Sequence, residues 1–142
     1  CKGKRTLLFA AVSDKRARQM VELLLKEDLF SCIRLVPLET SRRIETEQLL
    51  ELTRNFQKSM AAKATMAAKA TAAAKATGAD NAAAAAKAAG ADITAAENLE
   101  TAFLDAVTHR SEDDRVYIVG SLYLAGQIKE LLSHAWREIT HD

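Results

Sequence analysis

Val116-Tyr-Ile-Val-Gly-Ser-Leu-Tyr-Leu-Ala-Gly-Gln-Ile-Lys-Glu-Leu-Leu132 is the stretch that decides the fold. With Arg115 before it, the run to Val119 is short, apolar and β-branched, the composition of a strand. Gly120-Ser121 breaks that run, and the residues beyond repeat apolar positions at helical spacing. A strand that ends in Gly-Ser and feeds a helix presents backbone N–H groups and a hydroxyl at its carboxyl end. Open α/β sheets bind their ligands at that edge.

The start of the chain carries the matching half. Arg5-Thr-Leu-Leu-Phe-Ala-Ala-Val12 is almost continuously apolar, as a strand buried on both faces must be. Ser13-Asp14-Lys15 follows, and a helix is expected from about Lys15 to Asp28 through Met20, Leu23, Leu24 and Leu25. The next strand is expected over Cys32 to Val36, ended by Pro37, which has no N–H for a ladder. A loop from Leu38 to Arg43 leads into a helix expected from about Glu45 to Gln57. Later in the chain a helix is expected from about Ala95 to His109, opened by a Thr94-Ala-Ala-Glu97 capping box. Ser111 to Asp114 is a polar turn before the last strand. This alternation predicts an α/β fold with a mostly parallel sheet flanked by helices. Three strands are few for such a sheet, and the chain begins at Cys1 rather than methionine, so a fragment of a longer protein is the expectation.

Composition narrows the function classes. Formal net charge is +1 over 142 residues with both signs interspersed, which argues against a nucleic-acid stripe or a membrane-surface patch. No apolar run approaches the roughly 20 residues of a spanning helix, and no signal peptide is visible. Cys1 and Cys32 make no disulfide framework, so a reduced, cytoplasmic compartment is expected. His109, His134 and His141 share no metal-ligand spacing with either cysteine and read as surface residues. Trp136 is expected to pack the last helix.

Between the two halves lies a low-complexity segment, 61–93, that separates 1–60 from 94–142. It repeats every six residues: Met60-Ala-Ala-Lys-Ala-Thr65, Met66-Ala-Ala-Lys-Ala-Thr71, Ala72-Ala-Ala-Lys-Ala-Thr77. Alanine is the strongest helix former, so these repeats should be helical, with Gly78 and Gly90 marking breaks. At about 100° per residue, a six-residue period turns each repeat by about 240°. Lys63, Lys69 and Lys75 therefore point three ways, and no face is consistently apolar. The segment reads as an alanine-rich helical insertion in a tolerant surface loop.

Phe9-Ala-Ala-Val-Ser-Asp-Lys15 and Val116-Tyr-Ile-Val-Gly-Ser-Leu-Tyr-Leu-Ala-Gly126 together resemble the C-terminal domain of folylpolyglutamate synthase/dihydrofolate synthase, a branch of the Mur ligase superfamily. The resemblance covers Lys4 to about Ser59 and Ile93 to about His134. It implies a Rossmann-like domain of a monomeric ligase. There, ATP with Mg²⁺ phosphorylates a folate or dihydropteroate carboxylate, and the amine of glutamate attacks the acyl phosphate. It also implies a partner N-terminal ATPase domain, which the Mur-type C-terminal domain closes over.

The same resemblance nominates site residues. Lys15 would offer a cation to a carboxylate or phosphate, and Asp14 would orient it or cap the following helix. Ser121 is similar in position to a serine that contacts the incoming amino acid, with Tyr123 close by. Arg43, with Arg42, occupies the loop where the family has Pro-Arg and a small residue; here the order is Thr40-Ser41-Arg42-Arg43-Ile44, without the proline. Structural alternatives stand beside each: an Asp N-cap with an exposed lysine, a serine helix cap, a tyrosine packed on the sheet edge, a solvated arginine. The chain lacks a phosphate loop, the family's Asp-Gly-Ala-His-Asn-Pro segment and the central-domain lysine that is carbamoylated in these enzymes. It is therefore expected to be inert alone. Rival readings are another Mur-type amino-acid ligase, or a non-catalytic module assembled through the alanine-rich arm.

Overall fold

The computed structural model describes residues 3–13, 16–72 and 90–140, with the backbone alone over 67–72, 135–136 and 138–140. Asp14, Lys15, residues 73–89 and the Trp136 side chain lie outside this description. The elements in chain order are β1 (Arg5–Ala10), α1 (Arg16–Lys26), β2 (Cys32–Leu35), α2 (Thr46–Ala72), β3 (Asp92–Ala95), α3 (Leu99–Thr108), β4 (Arg115–Gly120) and α4 (Leu122–Thr140). The four strands form one sheet in the order β3-β2-β1-β4, and every pairing is parallel.

β1 lies between β2 and β4, which explains its unbroken apolar run. Leu7 and Phe9 join Ala17 and Val21 of α1, Leu49 of α2, and Ile33, Leu35 and Ile93 in one cluster. Leu8 and Ala10 face the other way, against Ala102 and Phe103 of α3 and Leu124 and Ile128 of α4. Fully burying each such leucine or phenylalanine contributes about 1.5–3 kcal/mol, so β1 is the strand the domain is built around. The chain winds outward from β1 through β2 to β3, with α1 and α2 on one face. It then returns over the opposite face and places β4 on the far side of β1. The reversal sets a topological switch point between the carboxyl ends of β1 and β4, an arrangement compatible with a Rossmann-like fold.

Four local expectations are corrected. Residues 92–95 form a strand, and the helix expected from Ala95 starts at Leu99 and ends at Thr108. Thr94 does not cap it: Asn98 does, its side-chain oxygen accepting the Thr101 N–H at 2.7 Å. Pairing with β2 along Cys32↔Asp92, Ile33↔Ile93, Arg34↔Thr94 and Leu35↔Ala95 overrides the local Thr-x-x-Glu pattern. The strand expected over Cys32 to Val36 ends at Leu35, and α2 extends well past Gln57 to Ala72, through the first two alanine repeats.

The far end of the alanine-rich stretch belongs to the core. Ala91 and Ile93 are buried, and Gln57 of α2 donates from Nε2 to the Ala91 carbonyl at 3.1 Å. Gly90 has φ +79°, and a Cβ there would meet the Gln57 amide. Among the described residues no helix is long and apolar enough to cross a membrane.

Candidate functional site

Backbone hydrogen bonds build the carboxyl end of the sheet around β1. Toward β2, the Phe9 carbonyl accepts the Val36 N–H at 3.0 Å, and the Ala11 carbonyl accepts the Ile44 N–H at 3.1 Å. Ser13 N–H then donates to the Arg42 carbonyl at 2.6 Å, and Val12 and Arg43 form an antiparallel bridge. Toward β4, the Ala10 carbonyl accepts the Ser121 N–H at 3.3 Å. The end of β1 is thus held between the Gly120-Ser121 turn and the Arg42–Ile44 segment. Asp14 and Lys15, which follow Ser13 in the chain, lie outside the described residues.

Gly120 sets how close the turn can come. Its φ is +140°, a conformation glycine alone adopts readily, and a Cβ there would overlap the Ala10 carbonyl oxygen. Ser121 is half-buried, and its Oγ accepts the Tyr123 N–H at 3.2 Å, capping the first turn of α4. Capping uses an acceptor lone pair, which leaves the hydroxyl proton to donate elsewhere. Tyr123 does not pack on the sheet edge: it is 53% exposed, beside Leu122 and Gly126 on the outer side of α4.

The two loop arginines are placed differently. Val12 packs against the cluster under α3 and α4, and its bridge partner Arg43 lies on that side. Ile44 packs against the cluster under α1 and α2, and Arg42 lies in the preceding turn, where the Arg43 N–H donates to the Thr40 carbonyl at 3.2 Å. Arg43 Nε donates to Glu45 Oε1 at 2.9 Å, both side chains being well exposed. It also borders a polar cleft of about 500 Å³ with Glu39, Glu97, Glu100 and Glu130. Arg42 is exposed and has no ion-pair partner among the described residues.

That cleft was not legible beforehand, because its glutamates come from three separate parts of the chain. Two carboxylates elsewhere hold the frame. Hydrogen bonding and then the charge of Arg34 keep Asp105 below the ordinary aspartate pKa; His109 Nδ1 lies 2.9 Å from its other oxygen. Backbone N–H groups of Ser111 (2.9 Å) and Lys4 (2.6 Å) lower that of Asp114, tying the turn before β4 to the start of β1.

An apolar hollow of about 310 Å³ lies at the opposite end of the sheet, among Leu24, Leu25, Phe30, Ile33, Met60 and Ala64. It touches none of the nominated site residues. His109 and His134 are exposed, and Cys32 is a half-buried free thiol in β2. Among the described residues no three His, Cys, Asp or Glu side chains converge in a way that could hold a metal. Compared with known proteins, the chain matches no family model, no curated protein and no solved structure.

Proposed function

We propose that this chain is the α/β domain of an ATP-dependent carboxylate–amine ligase that adds glutamate to a folate or dihydropteroate carboxylate. One observation carries the reading. The Gly120-Ser121 turn is held against the carboxyl end of β1 at the switch point, where the Asp14-Lys15 sequence follows. The close approach that Gly120 permits brings the turn's backbone and Ser121 to the carboxyl end of β1. A hydroxyl donor there suits a carboxylate of the amino-acid substrate. Ser121 keeps its cap in this reading and adds a contact through the hydroxyl proton.

Phosphoryl transfer belongs to a separate ATPase domain in this account, since the 142 residues contain no phosphate loop. The test is an assay of the native gene product with ATP, Mg²⁺, glutamate and a folate. ADP release that needs both glutamate and folate, and that falls in Lys15→Ala and Ser121→Ala, supports the ligase. Nucleotide turnover indifferent to both would refute it. Muropeptide precursors in place of folate separate the other Mur-type reading.

A second reading has one observation in its favour. α2 runs unbroken from Thr46 to Ala72 and carries Met66 74% exposed, as an interaction arm would. That reading requires self-association that vanishes when residues 61–72 are replaced by a short flexible linker.

A further inference from the structure

The sequence nominates Arg43 for an anion, but it is the poorer placed of the two loop arginines. Its guanidinium is engaged by Glu45, and it borders a cleft with Glu39, Glu97, Glu100 and Glu130. A carboxylate approaching Arg43 meets like charge from several directions and must displace an existing partner. Arg42 has neither handicap. It carries no ion pair among the described residues, and it does not line that cleft. Its backbone is fixed rather than loose: the Arg42 carbonyl accepts the Ser13 N–H at 2.6 Å, and the Ile44 N–H binds the Ala11 carbonyl at 3.1 Å. An anchored main chain carrying a guanidinium with no ion pair among the described residues is suited to present a planar, permanently charged carboxylate receptor.

We propose that Arg42, and not Arg43, is the residue of this loop that meets a substrate carboxylate. The inference rests on the ligase reading, and it narrows the substrate class to one with a free carboxylate within reach of the loop that flanks the end of β1.

The test is titration calorimetry of the 142-residue chain with glutamate, a folate and, as a plain dicarboxylate, succinate. The proteins are wild type, Arg42→Gln and Arg43→Gln. Both arginines are exposed, so both variants should fold, and unchanged thermal unfolding confirms it. Arg42→Gln is expected to weaken carboxylate binding about tenfold and to flatten its salt dependence, as loss of one charged hydrogen-bonding partner does. Arg43→Gln is expected to change it by less than about twofold. Equal losses in both variants, a larger loss in Arg43→Gln, or no carboxylate binding at all would overturn the proposal. Succinate binding that depends on Arg42, without glutamate or folate binding, would retain the Arg42 assignment and sink the ligase reading. Folate and glutamate binding untouched by Arg42→Gln would do the reverse.

Discussion

The two ends of the sheet differ in what they are made of. At the amino end, α1, β2 and the later turns of α2 leave a mainly apolar hollow of about 310 Å³, with Lys26, Asp28 and Gln57 among its lining residues. At the carboxyl end, β1 is clasped on both sides by main-chain hydrogen bonds from the Ser121 turn and from the loop of Arg42, an arginine without an ion pair among the described residues. Apolar lining alone would choose the first as the binding site. Topology and polar groups choose the second, because helix starts and the strand-order reversal are both at the carboxyl end. A hollow between packed elements can be only a packing defect, whereas the Gly120 turn sits where the Ala10 carbonyl oxygen leaves no room for a Cβ.

The sharpest way to break this contrast is Gly120→Ala. The new methyl would overlap the Ala10 carbonyl oxygen, and φ +140° is strained for alanine. A loss of about 3 kcal/mol or more is expected in chemical denaturation, from strain and overpacking together. A change within about 0.5 kcal/mol would mean that the turn is not held tightly against β1.

Asn98→Ala should cost about 1 kcal/mol, since it removes the oxygen that accepts the Thr101 N–H at the start of α3. Thr94→Ala should cost less than Asn98→Ala, because Thr94 is exposed in a strand and does not cap the helix. The opposite ranking would restore the capping box at Thr94. At the amino end, Ala64→Leu should add about 0.5 kcal/mol by filling part of the hollow. It should leave ligand affinity unchanged, and an altered affinity would move the site to that end.

The smallest effect is acid sensitivity. Asp105 and Asp114 have folded pKa values below the ordinary aspartate value. Their stabilisation is therefore complete above the unfolded value of about 3.9 and is lost as pH falls through the depressed folded values. Denaturation midpoints of Asp114→Asn should decline less steeply than wild type below about pH 4. An identical decline would show that Asp114 does not tie β4 to β1.

The fold was readable where burial is two-sided. Leu7 to Ala10 are buried from both faces, so the apolar run alone identified β1, and Gly120-Ser121 marked where β4 stops. β3 was hidden because only Ile93 of its four residues is buried, and its neighbours are the alanines of a helical repeat. Its strand character comes from pairing with β2, a long-range contact that no local pattern records. At the candidate site, the position of the Gly-Ser turn at the end of β4 was legible, and its closeness to Ala10 was not. The roles of Arg42 and Arg43 could not be separated in the sequence either. Only the Val12–Arg43 bridge and the Glu45 ion pair distinguish two adjacent arginines.

The most direct test of the central claim is amide chemical-shift mapping of the isotopically labelled chain, titrated with glutamate and a folate. The account predicts that the largest shifts fall at Ser13, Arg42, Gly120 and Ser121, around the carboxyl ends of β1 and β4. Shifts centred on Leu24, Phe30 and Met60, or no shifts at saturating ligand, would contradict it.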